Sequence, residues 1–245
     1  FILGLSLVAL IGELCTRAIS VLGYSTFVFR EYDPILGTTL IPGSAGAHRW
    51  CWDGYVEINQ HGMRDKERVL QGPSDVFRIG VFGDSIIEAV HVKPEETATY
   101  LLEERLNQEL SPRRFEVLNF SVASYSTVQE YLRYQELGRQ FDLDLVVVVS
   151  IPNDIVANIA PGDVMAGSFY SAPYLARSQG GFQLVPPMEP SRGERIASHA
   201  ARTSSLALFM TKLYYRKVVP FATASRLEMP AWATHPIYSL SVVER

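Results

Sequence analysis

Val81-Phe82-Gly83-Asp84-Ser85 is the stretch on which the reading of this chain depends. It closes a short apolar run, Phe77 to Phe82, whose length and composition predict a buried strand. The strand gives way to a Gly-Asp-Ser turn and then to a mixed segment, Ile86 to Val92. A serine at the carboxyl end of a parallel strand stands where open α/β sheets bind their ligands. Gly, Asp and Ser are also ordinary turn residues. The tripeptide alone therefore does not separate a reactive serine from a plain strand-ending turn.

Two later stretches repeat the arrangement. Val117-Leu118-Asn119-Phe120-Ser121 ends a second apolar run in an asparagine. Val146-Val147-Val148-Val149-Ser150-Ile151-Pro152-Asn153-Asp154 ends a third in Asn-Asp. Three strand-like runs that each finish in a polar, hydrogen-bonding residue would set those residues side by side on one sheet edge. The pattern resembles the SGNH (GDSL-type) hydrolases. Gly83-Asp84-Ser85 corresponds to their first block, Asn119 to Thr127 to the second, and Asn153-Asp154 to the third. Upstream, Asn59-Gln60-His61-Gly62-Met63-Arg64 resembles a turn that precedes the first block in a membrane-anchored bacterial group of that family. In this turn Gly62 suits a tight bend and Arg64 can brace a carbonyl or carboxylate.

The resemblance implies a serine nucleophile, Ser85. Its oxyanion hole would comprise the backbone N–H groups of Ser85 and Ser124 and the side-chain amide of Asn153, with Gly83, Asp84, Asn119 and Asp154 in support. It also shows departures. Ser121 and Ser124 stand where the family usually has glycine, and Ile151-Pro152 replaces a Gly-x pair ahead of Asn153-Asp154. The family's Asp-x-x-His near its C-terminus has no counterpart: the late histidine is His235, and Trp232 stands three residues before it. Acyl transfer by serine needs a base to take the hydroxyl proton. Two readings follow. The Asp-x-x-His block lies beyond Arg245, and the parent protein is a serine esterase or O-acyl(acetyl)transferase whose 245-residue portion is inactive. Alternatively, the base has been lost and the fold serves as an accessory or scaffold subunit of a membrane complex.

Composition sets outer bounds. The chain has 245 residues, 47% hydrophobic and 20% charged, which suits a globular domain with a full core. A net charge of −4 offers no basic footprint for nucleic acid. Cys15 and Cys51 form neither a disulfide framework nor a metal-type spacing. The five histidines include no His-x-x-x-His pair, so neither a metal nor another cofactor is expected.

Phe1 to Ile11 is almost wholly apolar, and the run continues with interruptions to Leu22. Glu13 and Arg17, four apart, share one face of a helix. A spanning helix needs about 20 apolar residues. Residues 1–23 are expected to form a membrane-anchor helix, with the globular part on the periplasmic or other extracytoplasmic side. The expected partners are the membrane through this helix, other membrane protein subunits, and an acylated glycan or small ester as substrate.

Residues 24–72 read as a lead-in of turns and short strands, and 73–245 as the SGNH-like domain. Within it, Pro94 to Leu110 predicts a helix with Tyr100, Leu101, Leu102, Leu106 and Leu110 as its apolar face. Phe115 to Leu118 predicts a strand, and Thr127 to Leu137 an amphipathic helix closed by Gly138. Leu143 to Ser150, with four consecutive valines, predicts a strand buried on both faces. This order argues for an α/β three-layer sandwich with a mainly parallel, flavodoxin-like sheet. A long irregular loop is expected over 156–202, then a helix from Ser204 to Val219 and a mixed tail.

Overall fold

The computed structural model describes residues 2–21, 28–48, 54–159, 172–178 and 180–217. The chain falls into two units, residues 1–209 and 210–245. His235, Cys51 and the mixed tail from Met229 lie outside the described residues. In order, the elements are helix α1 (Ile2–Val21), strands β1 (Arg30–Asp33), β2 (Gly37–Leu40), β3 (Ala45–His48), β4 (Gly54–Glu57) and β5 (Val76–Gly83), and the short helix α2 (Ser85–Glu88). Then come α3 (Ala98–Glu109), β6 (Arg114–Asn119), α4 (Thr127–Glu136), β7 (Leu145–Val149) and α5 (Pro152–Ala157). The series ends with β8 (Tyr174–Ser178), β9 (Gly181–Val185), α6 (Arg192–Thr203) and α7 (Ser205–Lys217).

The central sheet is parallel, in the order β6-β5-β7. Val76 to Val81 pair with Arg114 to Asn119 on one side, and Ile79 to Gly83 with Leu145 to Val149 on the other. The chain goes from β5 out to β6, then returns past β5 to β7. Parallel crossovers are right-handed, so these opposite steps carry their helices to opposite faces. Side-chain alternation agrees. Ile79 and Val81 pack with Phe115, Val117, Ile87 and Leu106 on the α3 side. Phe82 packs with Leu118, Phe120, Phe141, Tyr134 and Leu137 on the α4 side. The architecture is thus mixed α/β with a parallel sheet between helices, as expected. Its reversal of strand order lies at the carboxyl ends of β5 and β7, where such sheets bind ligands.

The lead-in supplies core as well as cover. Phe29, Leu36, Leu40, Val56 and Ile58, in or next to the antiparallel pairs β1–β2 and β3–β4, pack against Val122 and Tyr125 beside the sheet edge. Backbone carbonyls of this layer are taken by buried side chains of the domain: Tyr125 Oη donates to Thr38 O at 2.7 Å and Gln129 Nε2 to Leu36 O at 2.7 Å.

Four expectations change. β7 is not buried on both faces: Leu145, Val146 and Val148 are exposed, because β7 pairs on one side only, with β5, among the described residues. The face of α3 turned inward carries Thr99 and Glu103 with Leu106, while Leu101, Leu102 and Leu110 are exposed. Glu103 can be buried there because Arg68 Nη2 (2.7 Å) and the Val117 N–H (2.9 Å) meet its carboxylate, along with Lys66. The span 156–202 is not one irregular loop: it holds the antiparallel pair β8–β9 and the 12-residue helix α6. The Gly180-Gly181 turn between alternating residues and the Ser191…Glu194 capping box both announce these elements. Finally, α1 is helical over 20 residues, but among the described residues no helix is long and apolar enough to cross a membrane.

Candidate active site

The three polar strand ends come to the same edge of the sheet. β5 stops at Gly83, where an added Cβ would sit 3.0 Å from the Ile87 side chain and 3.3 Å from Val149 O, so the neighbouring strand excludes a larger residue. Asp84 caps α2, its Oδ1 accepting from the Ile86 N–H at 2.9 Å. Ser85 is the first residue of that helix and is exposed. Beyond β6 the chain stays beside β5, since Phe120 N–H donates to Val81 O (2.9 Å) and Val122 N–H to Gly83 O (3.2 Å). Ser124 follows two residues later with φ of 68°, a left-handed conformation. Val149 pairs with Gly83, and Asn153 is the second residue of α5, which begins three residues past β7. The Asn153 side chain lies outside the described part. Neither the Ser85 nor the Ser124 backbone N–H donates a hydrogen bond among the described residues, and a first-turn N–H at a helix start is available to an anion.

Buried polar side chains hold this edge in place. Asn119, fully buried, donates from Nδ2 to Ile87 O (3.1 Å) and accepts from the Ser121 N–H at Oδ1 (3.1 Å). It therefore braces the serine helix from below and does not face a substrate. Arg64 performs the role its turn suggested, donating to Glu88 O (2.8 Å) and Val92 O (2.6 Å) at the far end of α2. Two carboxylates not singled out from the sequence complete the frame. Asp65 Oδ2 accepts from the Asn119 N–H at 3.1 Å. Glu88 Oε2 accepts from Arg30 Nη2 (2.7 Å) and from the Ala123 N–H, tying the second-block loop to the serine helix. A lone glutamate inside Ile86-Ile87-Glu88-Ala89-Val90 was the visible signal for the second.

The electrostatics are acidic. Asp84, Glu130 and Asp154 are all buried. Burial, then the Asp154 and Asp84 charges, pushes the Glu130 carboxyl up to about 8. Burial likewise raises Asp154, with Asp84 adding to the rise, although its Oδ2 accepts from the Ile151 N–H at 2.7 Å.

No described histidine side chain is hydrogen-bonded to Ser85. Its Oγ makes one long contact, 3.5 Å, with Asp84 Oδ2. His61 is engaged elsewhere, its Nε2 2.8 Å from Arg68 O and its ring edge-on to Phe141 at 5.1 Å. His199 lies on α6 and is exposed. Among the described residues no group of His, Cys, Asp or Glu could hold a metal ion. The arrangement can present a hydroxyl and backbone donors to a carbonyl.

No protein-family model matches this sequence, and no curated protein matches it. Among solved structures the chain is similar to the crystal structure of TesA, with a TM-score of 0.30 and 27% identity. That match covers 34% of this chain and 46% of TesA, less than half of either.

Proposed function

We propose that this chain carries the serine and oxyanion half of an SGNH-type site for ester hydrolysis or O-acyl (acetyl) transfer, with the base supplied from outside the described residues. The observation that carries the reading is the shared edge: Ser85 at the head of α2, and Ser124 two residues beyond the Val122–Gly83 hydrogen bond, both with N–H groups that donate to no acceptor among the described residues. Donors of this kind contribute about 3 kcal/mol each to a developing oxyanion. The substrate class is an acylated glycan or another small ester.

The test is hydrolysis of a small activated acetyl ester by the 245-residue chain and by the full-length protein. The shorter chain is expected to show negligible turnover. If the native chain continues into an Asp-x-x-His segment, that longer protein is expected to be active and to lose on the order of a thousandfold or more with Ser85→Ala. Activity indifferent to Ser85→Ala would overturn the assignment. Inactivity of the full-length protein would favour the second reading, an accessory subunit that keeps the fold without a base.

A membrane location belongs to the same proposal. It rests on the apolar side chains that α1 leaves exposed, Leu7, Val8, Leu10, Ile11 and Leu14. Alkaline carbonate treatment of membranes should leave the full-length protein in the pellet. Quantitative release into the supernatant would rule out an integral anchor.

A further inference from the structure

One carboxylate reaches from the serine helix to the loop that carries Ser124. Along that loop the backbone N–H groups are committed residue by residue. Asn119 donates to Asp65 Oδ2 (3.1 Å), Phe120 to Val81 O (2.9 Å), Ser121 to Asn119 Oδ1 (3.1 Å) and Val122 to Gly83 O (3.2 Å). Ala123 donates to Glu88 Oε2, Tyr125 to Val122 O (3.2 Å) and Ser126 to Gln129 Oε1 (3.1 Å). Ser124 is the exception. Its φ is 68°, and its N–H donates to no acceptor among the described residues.

Of the acceptors along this loop, Glu88 is the one that belongs to α2, the helix that Ser85 opens. It is wholly buried, and two arginines of the lead-in grip it. Arg30 Nη2 donates to the same Oε2 at 2.7 Å, and Arg64 Nη1 donates to the Glu88 main-chain carbonyl at 2.8 Å. Oε1 has no hydrogen-bond partner. Burying an unpaired carboxylate oxygen is costly, so hydrogen-bond economy alone does not account for a glutamate here. What Oε2 achieves is a link: it joins the serine helix, the Ala123 peptide and the lead-in at one atom. The Ala123 N–H lies one peptide ahead of the Ser124 N–H, and Ser124 holds a left-handed φ that a side-chain-bearing residue resists. A shift of the Ala123 peptide would therefore carry the Ser124 N–H with it.

We propose that Glu88 is a positioning residue for the oxyanion donors. Anchored by Arg30, it fixes the Ala123 peptide so that the Ser124 N–H stays open on the sheet edge that carries the Ser85 N–H. This role rests on the acyl-transfer reading, in which both N–H groups meet one oxyanion, and such donors act through being held in place beforehand. It also gives the lead-in, which supplies none of the three polar strand ends, a part in shaping the site through Arg30 and Arg64.

The experiment is a titration of the isotope-labelled 245-residue chain with acetate, the carboxylate that acetyl-ester hydrolysis releases. Ionic strength is held constant with chloride, and the amide NMR signals of Ser85 and Ser124 are followed. In the parent both signals should move along one saturation curve. Glu88→Ala removes a negative charge, which on charge alone would tighten acetate binding. The expected result is the reverse: affinity falls about tenfold, as for one lost hydrogen bond, and the Ser124 signal stops responding while Ser85 still moves. Glu88→Gln is equally uncharged but keeps an oxygen for the Ala123 N–H, and should restore the paired response. A Glu88→Ala chain that binds like the parent at both signals, or a Glu88→Gln chain that fails as Glu88→Ala does, would overturn the proposal. Should Glu88→Ala not fold, Arg30→Leu replaces it at a partly exposed position. Selective loss of the Ser124 response is expected there, and an equal change at both signals, or none, would overturn the anchoring role. A parent chain that ignores acetate at both signals would instead overturn the acyl-transfer reading, and this role with it. A paired response in the parent that persists in the variants sinks the positioning role alone.

Discussion

Ser124 shows how one residue can keep a backbone conformation at a cost. Its φ of 68° is the region glycine occupies freely, and the family it resembles usually has glycine there. A left-handed conformation costs a non-glycine residue roughly 1–2 kcal/mol, of which glycine's greater unfolded-chain freedom returns roughly 0.5–1 kcal/mol. Ser124→Gly is therefore expected to stabilise the chain by about 0.5–1 kcal/mol, read as a higher urea midpoint at unchanged m. A lower midpoint would mean that the serine side chain makes a contribution the hydrogen bonds do not reveal. Asn119 carries the opposite lesson. Expected in a supporting role, it has both ends of its amide taken by Ile87 O and the Ser121 N–H.

At the scale of elements, Glu13 decides how α1 is used. The N–H groups that open α7 receive a carboxylate from α1: Ser205 N–H donates to Oε1 and Leu206 N–H to Oε2, each at 3.0 Å, and Ser204 Oγ donates to Oε2 at 2.7 Å. Gly12 lets the helices approach, since a Cβ there would stand 3.0 Å from the Leu206 side chain. Glu13→Gln should speed hydrogen exchange at Ser205 and Leu206 near neutral pH, because their N–H groups lose the carboxylate that accepts from them. Equal protection in parent and variant would show that α7 does not rely on this contact.

Over the whole molecule, a shared parallel sheet was legible and strand environment was not. The apolar run of β5 and the three polar strand ends pointed to one parallel sheet, because composition and strand length are local properties. Burial of β7 was not local. Its valines would be covered if β7 lay inside the sheet, and the described sheet ends with it. The same holds for α3, whose inward face follows Glu103 and its partners Arg68 and Val117 rather than the run of leucines. Those partners lie 35 and 14 residues away in the chain.

The sequence by itself therefore determined the central order β5, α3, β6, α4, β7 and the polar residues Ser85, Asn119 and Asn153 at or just past the strand ends. Only the tertiary structure decided which polar residues face the site and which hold it up. Arg64, Asp65 and Glu88 became braces, and Asp84, Glu130 and Asp154 became buried carboxyl groups. The reason is that a buried charge is tolerated only with a donor, a counter-charge or a proton. Those arrive from segments far along the chain, which no local pattern of residues encodes.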